Sequence, residues 1–167
     1  VQPVCASLFG NLYIWGGFIP GKESSVLTDG LCYQPASGQW QVLRAPLTTE
    51  GQPLTLTGGA SVSYGDTLVI CAGGVNRDIF EDAISGRYKK VCESEYLLQP
   101  VEWYHFNDQL LAYDVRLGEW IRIGTPSPML ARAGASLVLF GEALFYIGGE
   151  LKPGVRTSDI CRISFQE

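Results

Sequence analysis

The sequence is short of positive charge. Its 167 residues carry 12 Lys and Arg against 17 Asp and Glu, a net charge of −5, and no stretch is rich in Lys and Arg. Holding nucleic acid takes a basic face that neutralises phosphates, so nucleic acid is excluded as the main partner. An anionic small molecule is not, because one well-placed Arg can serve it locally. There is one histidine, His105, and no C-x-x-C pair among Cys5, Cys32, Cys71, Cys92 and Cys161. A structural zinc site draws on several such ligands, and an odd cysteine count leaves no full disulfide set, so no metal is expected. Four of the cysteines sit in apolar strand patterns and are expected as buried thiols. No apolar run nears the roughly 20 residues that span a bilayer, and no signal peptide is visible, so no membrane partner is expected. The chain opens Val1-Gln2-Pro3 rather than with Met, from which a segment upstream is expected.

What is present is glycine, aromatic residues and repetition. Hydrophobic residues make up 46% and charged ones 17%, a balance that folds rather than staying disordered. The 20 glycines, with Tyr 8, Phe 7 and Trp 4, suit an all-β protein with many tight turns. Three segments align: Asn11-Leu-Tyr-Ile-Trp-Gly-Gly17, Asp66-Thr-Leu-Val-Ile-Cys-Ala-Gly-Gly74 and Glu142-Ala-Leu-Phe-Tyr-Ile-Gly-Gly149. Each follows a short apolar strand (4–9, 60–64, 135–140) and a turn at Gly10-Asn11, Gly65-Asp66 or Gly141-Glu142, residues that suit two-residue hairpins. The diglycine strands are apolar on both faces, which predicts burial between two other sheets.

After each diglycine comes a loop and a third strand, at 30–33, 109–114 and 159–165. In the first two repeats a turn and a tryptophan follow, Ser37-Gly-Gln-Trp40 and Leu117-Gly-Glu-Trp120. Diglycine, strand and Gly-x-Trp resemble the kelch repeat, whose unit runs to roughly 50 residues. The reading is a kelch-type β-propeller fragment of about three four-stranded antiparallel blades, half of a six-bladed ring. Its repeats fall at about 3–57, 58–130 and 131–167, with a partly helical insertion at 79–106. Three blades do not close a ring, so further blades, from the rest of the protein or a second copy, are the expected partners.

Two loops carry a closer likeness. Gly73-Gly-Val-Asn-Arg-Asp-Ile-Phe80 with Glu81-Asp82, and Gly148-Gly-Glu-Leu-Lys-Pro-Gly-Val-Arg-Thr157, resemble the N-acetylneuraminate epimerases, bacterial sialic acid mutarotases. Glu102-Trp-Tyr-His-Phe-Asn107 continues the likeness across the insertion. The resemblance implies a six-bladed propeller that interconverts sugar anomers, works without a cofactor and sits in the periplasm. It implies a catalytic base at the glutamate after the diglycine, here Glu150, and an arginine of the site, here Arg156.

The repeats single out the same position. The residue after each diglycine is Phe18, Val75 and Glu150, so blade geometry does not require a carboxylate there; the plainer alternative is a solvated loop acid. Mutarotation needs a base for the anomeric hydroxyl proton and an acid for the ring oxygen. An arginine pressed against the base would weaken it, so Arg156 is expected to clamp the substrate carboxylate rather than to pair with Glu150. Pro153-Gly154 favours a type II turn that folds both side chains toward one cavity. Asn76 and Tyr104 are candidate sugar-binding residues, with a turn cap the alternative for Asn76 and Tyr104 or water the candidate acid. Gly16-Gly-Phe-Ile-Pro-Gly-Lys22 has Walker A spacing, but Glu23 stands where a Ser or Thr belongs. Two functions follow: an isomerase acting on an acidic sugar such as N-acetylneuraminate, or a non-catalytic propeller module that binds a protein or glycan.

Overall fold

The backbone reverses first at Phe9-Gly10. In the computed structural model, which describes residues 1–21, 23 and 25–165, β1 (Val4–Leu8) and β2 (Asn11–Trp15) pair antiparallel with Leu8 opposite Asn11. Phe9 and Gly10 form the loop with φ of 50° and 72°. The turn is therefore one residue earlier than Gly10-Asn11, because a two-residue loop with both φ positive is the one that matches strand twist. A short hairpin follows, β3 (Phe18–Ile19) with β4 (Ser25–Val26). Then β5 (Gly30–Gln34) and β6 (Gln39–Leu43) complete a sheet of order β1-β2-β5-β6.

The second blade repeats the plan with β7 (Ala60–Tyr64), β8 (Leu68–Ala72), β9 (Leu110–Asp114) and β10 (Glu119–Ile123). Between β8 and β9 lie α1 (Arg77–Ile84), α2 (Glu93–Tyr96) and a 3-10 turn at Val101–Tyr104. The third blade has β11 (Ser136–Phe140), β12 (Ala143–Ile147) and β15 (Ile160–Ser164), with the hairpin β13 (Glu150–Lys152) and β14 (Val155–Arg156) between the last two. All sheet pairings are antiparallel.

Alternation along β8 explains how the blades stack. Val69 and Cys71 pack with Tyr13, Trp15 and Cys32 of the first blade. Ile70 and Ala72 pack with Leu137, Leu144 and Tyr146 of the third. Each large apolar side chain so buried contributes about 1.5–3 kcal/mol. Two-sided burial is complete only here. In the outer blades Leu12, Ile14 and Phe145 are half-buried and Ile147 is exposed, because among the described residues no sheet covers those faces. For the same reason Cys5 is exposed, against expectation, while Cys32 and Cys71 are buried and Cys161 half-buried; all five thiols are free. Burial pushes the Cys71 thiol well above its ordinary pKa.

Neighbouring blades are also stitched at the diglycines. Thr57 Oγ1 accepts the Gly17 N–H at 2.9 Å and donates to the Gly17 carbonyl at 3.0 Å. The Gly74 N–H donates to the Arg132 carbonyl at 2.8 Å. At Gly73 the fit is tight enough to exclude a side chain: a Cβ there would lie 2.2 Å from the Tyr146 hydroxyl oxygen and 2.3 Å from the Arg132 carbonyl oxygen. On the axis side, Ser61 and Ser63 of β7 donate to the Cys5 and Ser7 carbonyls of β1.

Candidate active site

Glu150 is placed by its backbone. Leaving β12 through Gly148-Gly149, it donates its N–H to the Ala133 carbonyl at 2.7 Å and accepts the Ala133 N–H at 3.0 Å. It thereby opens β13 at the end of the blade where β11 begins. Chain reversal falls at Pro153-Gly154, with Gly154 at φ 80°, the left-handed residue a type II turn needs at its third position. A bulge between Glu150 and Lys152 sets Glu150 opposite Arg156.

The two side chains then meet. Arg156 Nε donates to Glu150 Oε1 at 3.3 Å. The expectation that Arg156 stands apart from Glu150 is corrected here: the bulged register makes them cross-strand neighbours, and such opposite charges attract. The Arg156 side chain is 84% exposed and that of Glu150 34%.

A cavity of about 490 Å³ brings the four candidate residues together: Glu150, Arg156, Asn76 and Tyr104 all line it. Gln2, just before β1, and Gly134, just before β11, line it too, which sets the cavity at the end of the propeller where the axis-side strands begin. Asn76 also caps α1, its Oδ1 accepting the Ile79 N–H at 3.1 Å. Asn76 is thus a helix cap that also lines the cavity. Tyr104 is buried, and its hydroxyl donates to the Tyr96 carbonyl. Its proton is committed there, and burial pushes its pKa up. Tyr96 is pushed up to about 12, by burial first and then by its tyrosine neighbours Tyr104 and Tyr88.

Tyr96, Phe80 and Phe106 complete an aromatic wall that sequence reading did not single out. The clustering of aromatics across 80–106 was the available signal. Equally silent in the sequence is Arg132, buried to 1% exposure. Its Nη1 donates to the carbonyls of Gly148 and Asp159, both at 3.0 Å, holding the two ends of the loop that carries Glu150. His105 is exposed and lies outside this cavity. Among the described residues no three His, Cys, Asp or Glu side chains gather as a metal would need. Lys22 of the Walker-like run lies outside the described residues; Phe18 and Ile19 of that run form strand β3, where a phosphate loop would open a helix.

Sheet order, diglycine turns and an axial-end cavity define a kelch-type β-propeller. The family model for N-acetylneuraminate epimerase matches residues 1–167. The chain is 32% identical over 168 residues to N-acetylneuraminate epimerase of Haemophilus influenzae (strain 86-028NP), covering 95% of this chain and 43% of the relative. It is 33% identical over 172 residues to the protein of that name from Salmonella enteritidis PT4 (strain P125109), covering 96% and 43%. The solved structure of YjhT superposes with a TM-score of 0.82 at 28% identity, over 98% of this chain and 49% of that one. The chain belongs to the N-acetylneuraminate epimerase family, and it spans less than half the length of the curated relatives it matches.

Proposed function

We propose that the protein carrying this chain is a mutarotase of an acidic sugar, N-acetylneuraminate foremost, with Glu150 as base and Arg156 as carboxylate clamp. The observation that carries the reading is the Glu150–Arg156 pair, at 3.3 Å, on the wall of a sugar-sized cavity. The relatives' name supplies the substrate class. The rest of the ring comes, in this reading, from further blades of the same protein or from a second copy.

The reaction needs no net change of atoms or electrons. A Glu150 carboxylate oxygen takes the anomeric hydroxyl proton as the C=O double bond forms and the bond from the anomeric carbon to the ring oxygen breaks. Water gives the ring oxygen its proton, since the Tyr104 hydroxyl is engaged with Tyr96. The open chain rotates and the same steps in reverse close the other anomer. Arg156 holds Glu150 through Nε and offers its remaining N–H groups to the substrate carboxylate, a fork suited to bidentate binding.

One-dimensional proton NMR after release of the α anomer tests the proposal. The intact protein should speed interconversion over buffer, and Glu150→Gln, which keeps shape and removes the base, should slow the chemical step by about 10²–10⁴-fold. An unchanged rate in Glu150→Gln overturns the assignment of the base. Absence of acceleration for every acidic and neutral sugar overturns the mutarotase reading in favour of a binding module.

A further inference from the structure

The hairpin that carries Glu150 and Arg156 is tied to the second blade's insertion through one side chain. Lys152 Nζ donates to the carbonyls of Leu97 at 3.0 Å and Gln99 at 2.6 Å, and lies 5.9 Å from the centre of the Tyr104 ring. Leu97 is the C-cap of the one-turn helix α2, and Gln99 lies two residues beyond it. An ammonium has three N–H donors and no acceptor, so two carbonyls and a ring face form a matched seat for it. The insertion residues beside that seat, Tyr96 and Tyr104, are cavity walls opposite the hairpin.

The insertion meets the first blade's hairpin from its other flank. There Glu81 Oε2 accepts the Val26 N–H at 3.0 Å, and Phe80 packs edge-on against Phe18 at 5.2 Å. The insertion thus bridges the post-diglycine hairpins of blades one and three. On the first-blade side the link is a carboxylate and an aromatic pair. On the site side it is Lys152, two residues from Glu150 and paired across the hairpin with Val155, the neighbour of Arg156.

We propose that Lys152 is a positioning residue: it latches the Glu150–Arg156 hairpin to the insertion and so fixes the width of the cavity between the charged pair and the aromatic wall. This rests on the mutarotase reading for its effect on rate, while the latch itself does not depend on it. Releasing the ammonium frees the hairpin tip, so the near-attack geometry that positioning supplies is lost in part. Arginine, with donors and charge retained, restores it; methionine, of similar length and without donors, does not.

The test compares Lys152→Met and Lys152→Arg in the intact protein by two measurements. Hydrogen exchange followed by mass spectrometry should show faster exchange in Lys152→Met at residues 150–157 and 97–104, with core strands such as β8 unchanged, and near-wild-type exchange in Lys152→Arg. Anomer interconversion of N-acetylneuraminate should show about a tenfold loss of kcat/KM in Lys152→Met, carried by both kcat and KM, and recovery to within about threefold in Lys152→Arg. Unchanged exchange at 150–157 in Lys152→Met overturns the latch. Faster exchange with unaltered kcat and KM overturns its positioning role. A wild-type protein that accelerates no sugar sinks the functional reading instead, and the exchange result still decides the latch.

Discussion

The indole N–H groups of Trp15 and Trp120 converge on one acceptor, the carbonyl of Arg44, at 3.1 and 2.9 Å. The two rings pack edge to face with centres 4.9 Å apart. Trp15 belongs to the second strand of one blade and Trp120 to the fourth strand of the next, so a single loop carbonyl between the blades joins both.

Trp120→Ala removes that bond and the aromatic contact, and should destabilise by about 3–5 kcal/mol in urea titration. Trp40 is the equivalent residue of the first blade, but it is 57% exposed and its ring partner is Tyr33 of its own blade. In the isolated chain of residues 1–167, Trp40→Ala should cost about 1 kcal/mol. Equal losses at the two positions would contradict the description of the blade interface.

Gly73→Ala puts a methyl group against the Tyr146 hydroxyl and the Arg132 carbonyl, at a φ of 70°. We expect a loss of about 3 kcal/mol or more, from overpacking and backbone strain together. Gly141→Ala is the control: its φ is 62° with no heavy atom within 4 Å of the added Cβ, so strain alone should cost about 1–2 kcal/mol. Melting curves of the two variants check the difference.

Acid should loosen the insertion before it melts the blades. Burial alone would raise the Asp82 carboxyl, but its bonds to the Lys90 and Lys89 N–H groups, with the Arg87 and Lys90 charges, outweigh burial and hold its pKa below the ordinary aspartate value. A depressed folded-state pKa means the stabilisation is present above the unfolded value, near pH 4, and is lost as pH falls through the folded one. Amide exchange at 86–92 should therefore rise at low pH while β8 stays protected, and Asp82→Asn should show the raised exchange already at pH 7. Exchange at 86–92 that ignores both changes would contradict this.

Arg156→Lys keeps a charge and loses the planar fork. We expect KM for an acidic sugar to rise by about tenfold or more with a smaller change in kcat, and a neutral sugar to be affected less. Parallel NMR rates for N-acetylneuraminate and a neutral aldose check this, and equal effects on both would remove the clamp role.

Blade architecture was legible because its signals are local and repeated. A diglycine at the end of an apolar strand and a Gly-x-Trp turn mean the same thing each time they occur. Glu150 stood out for that reason, as the one acid at a position otherwise filled by Phe18 and Val75. Its contact with Arg156 was not legible. A plain two-residue turn at Pro153-Gly154 pairs Lys152 with Val155 and would set Leu151, not Glu150, against Arg156; the bulge that shifts the register has no sequence signature. Tyr96 and Phe106 were hidden because the insertion has no second copy to compare. Arg132 gave no sign either, since a lone arginine before a strand reads as surface, and its burial rests on tertiary partners: the carbonyls of Gly148 and Asp159, the Cys161 sulfur and the Tyr146 ring.

The bond between Thr57 and Gly17 has a consequence for how the chain is made. The Gly17 N–H finds its acceptor in a hydroxyl forty residues further along, while the Gly17 carbonyl is shared between that hydroxyl and the Leu27 N–H of its own blade. On a ribosome, the first blade's strands emerge and pair before that hydroxyl has been synthesised. A nascent chain halted at the end of β6 therefore carries an unfinished blade, open to water at the Gly17 N–H, and it is sealed only when the lead-in to the next blade has left the exit tunnel. Translation order and blade order run the same way, each newcomer closing its predecessor.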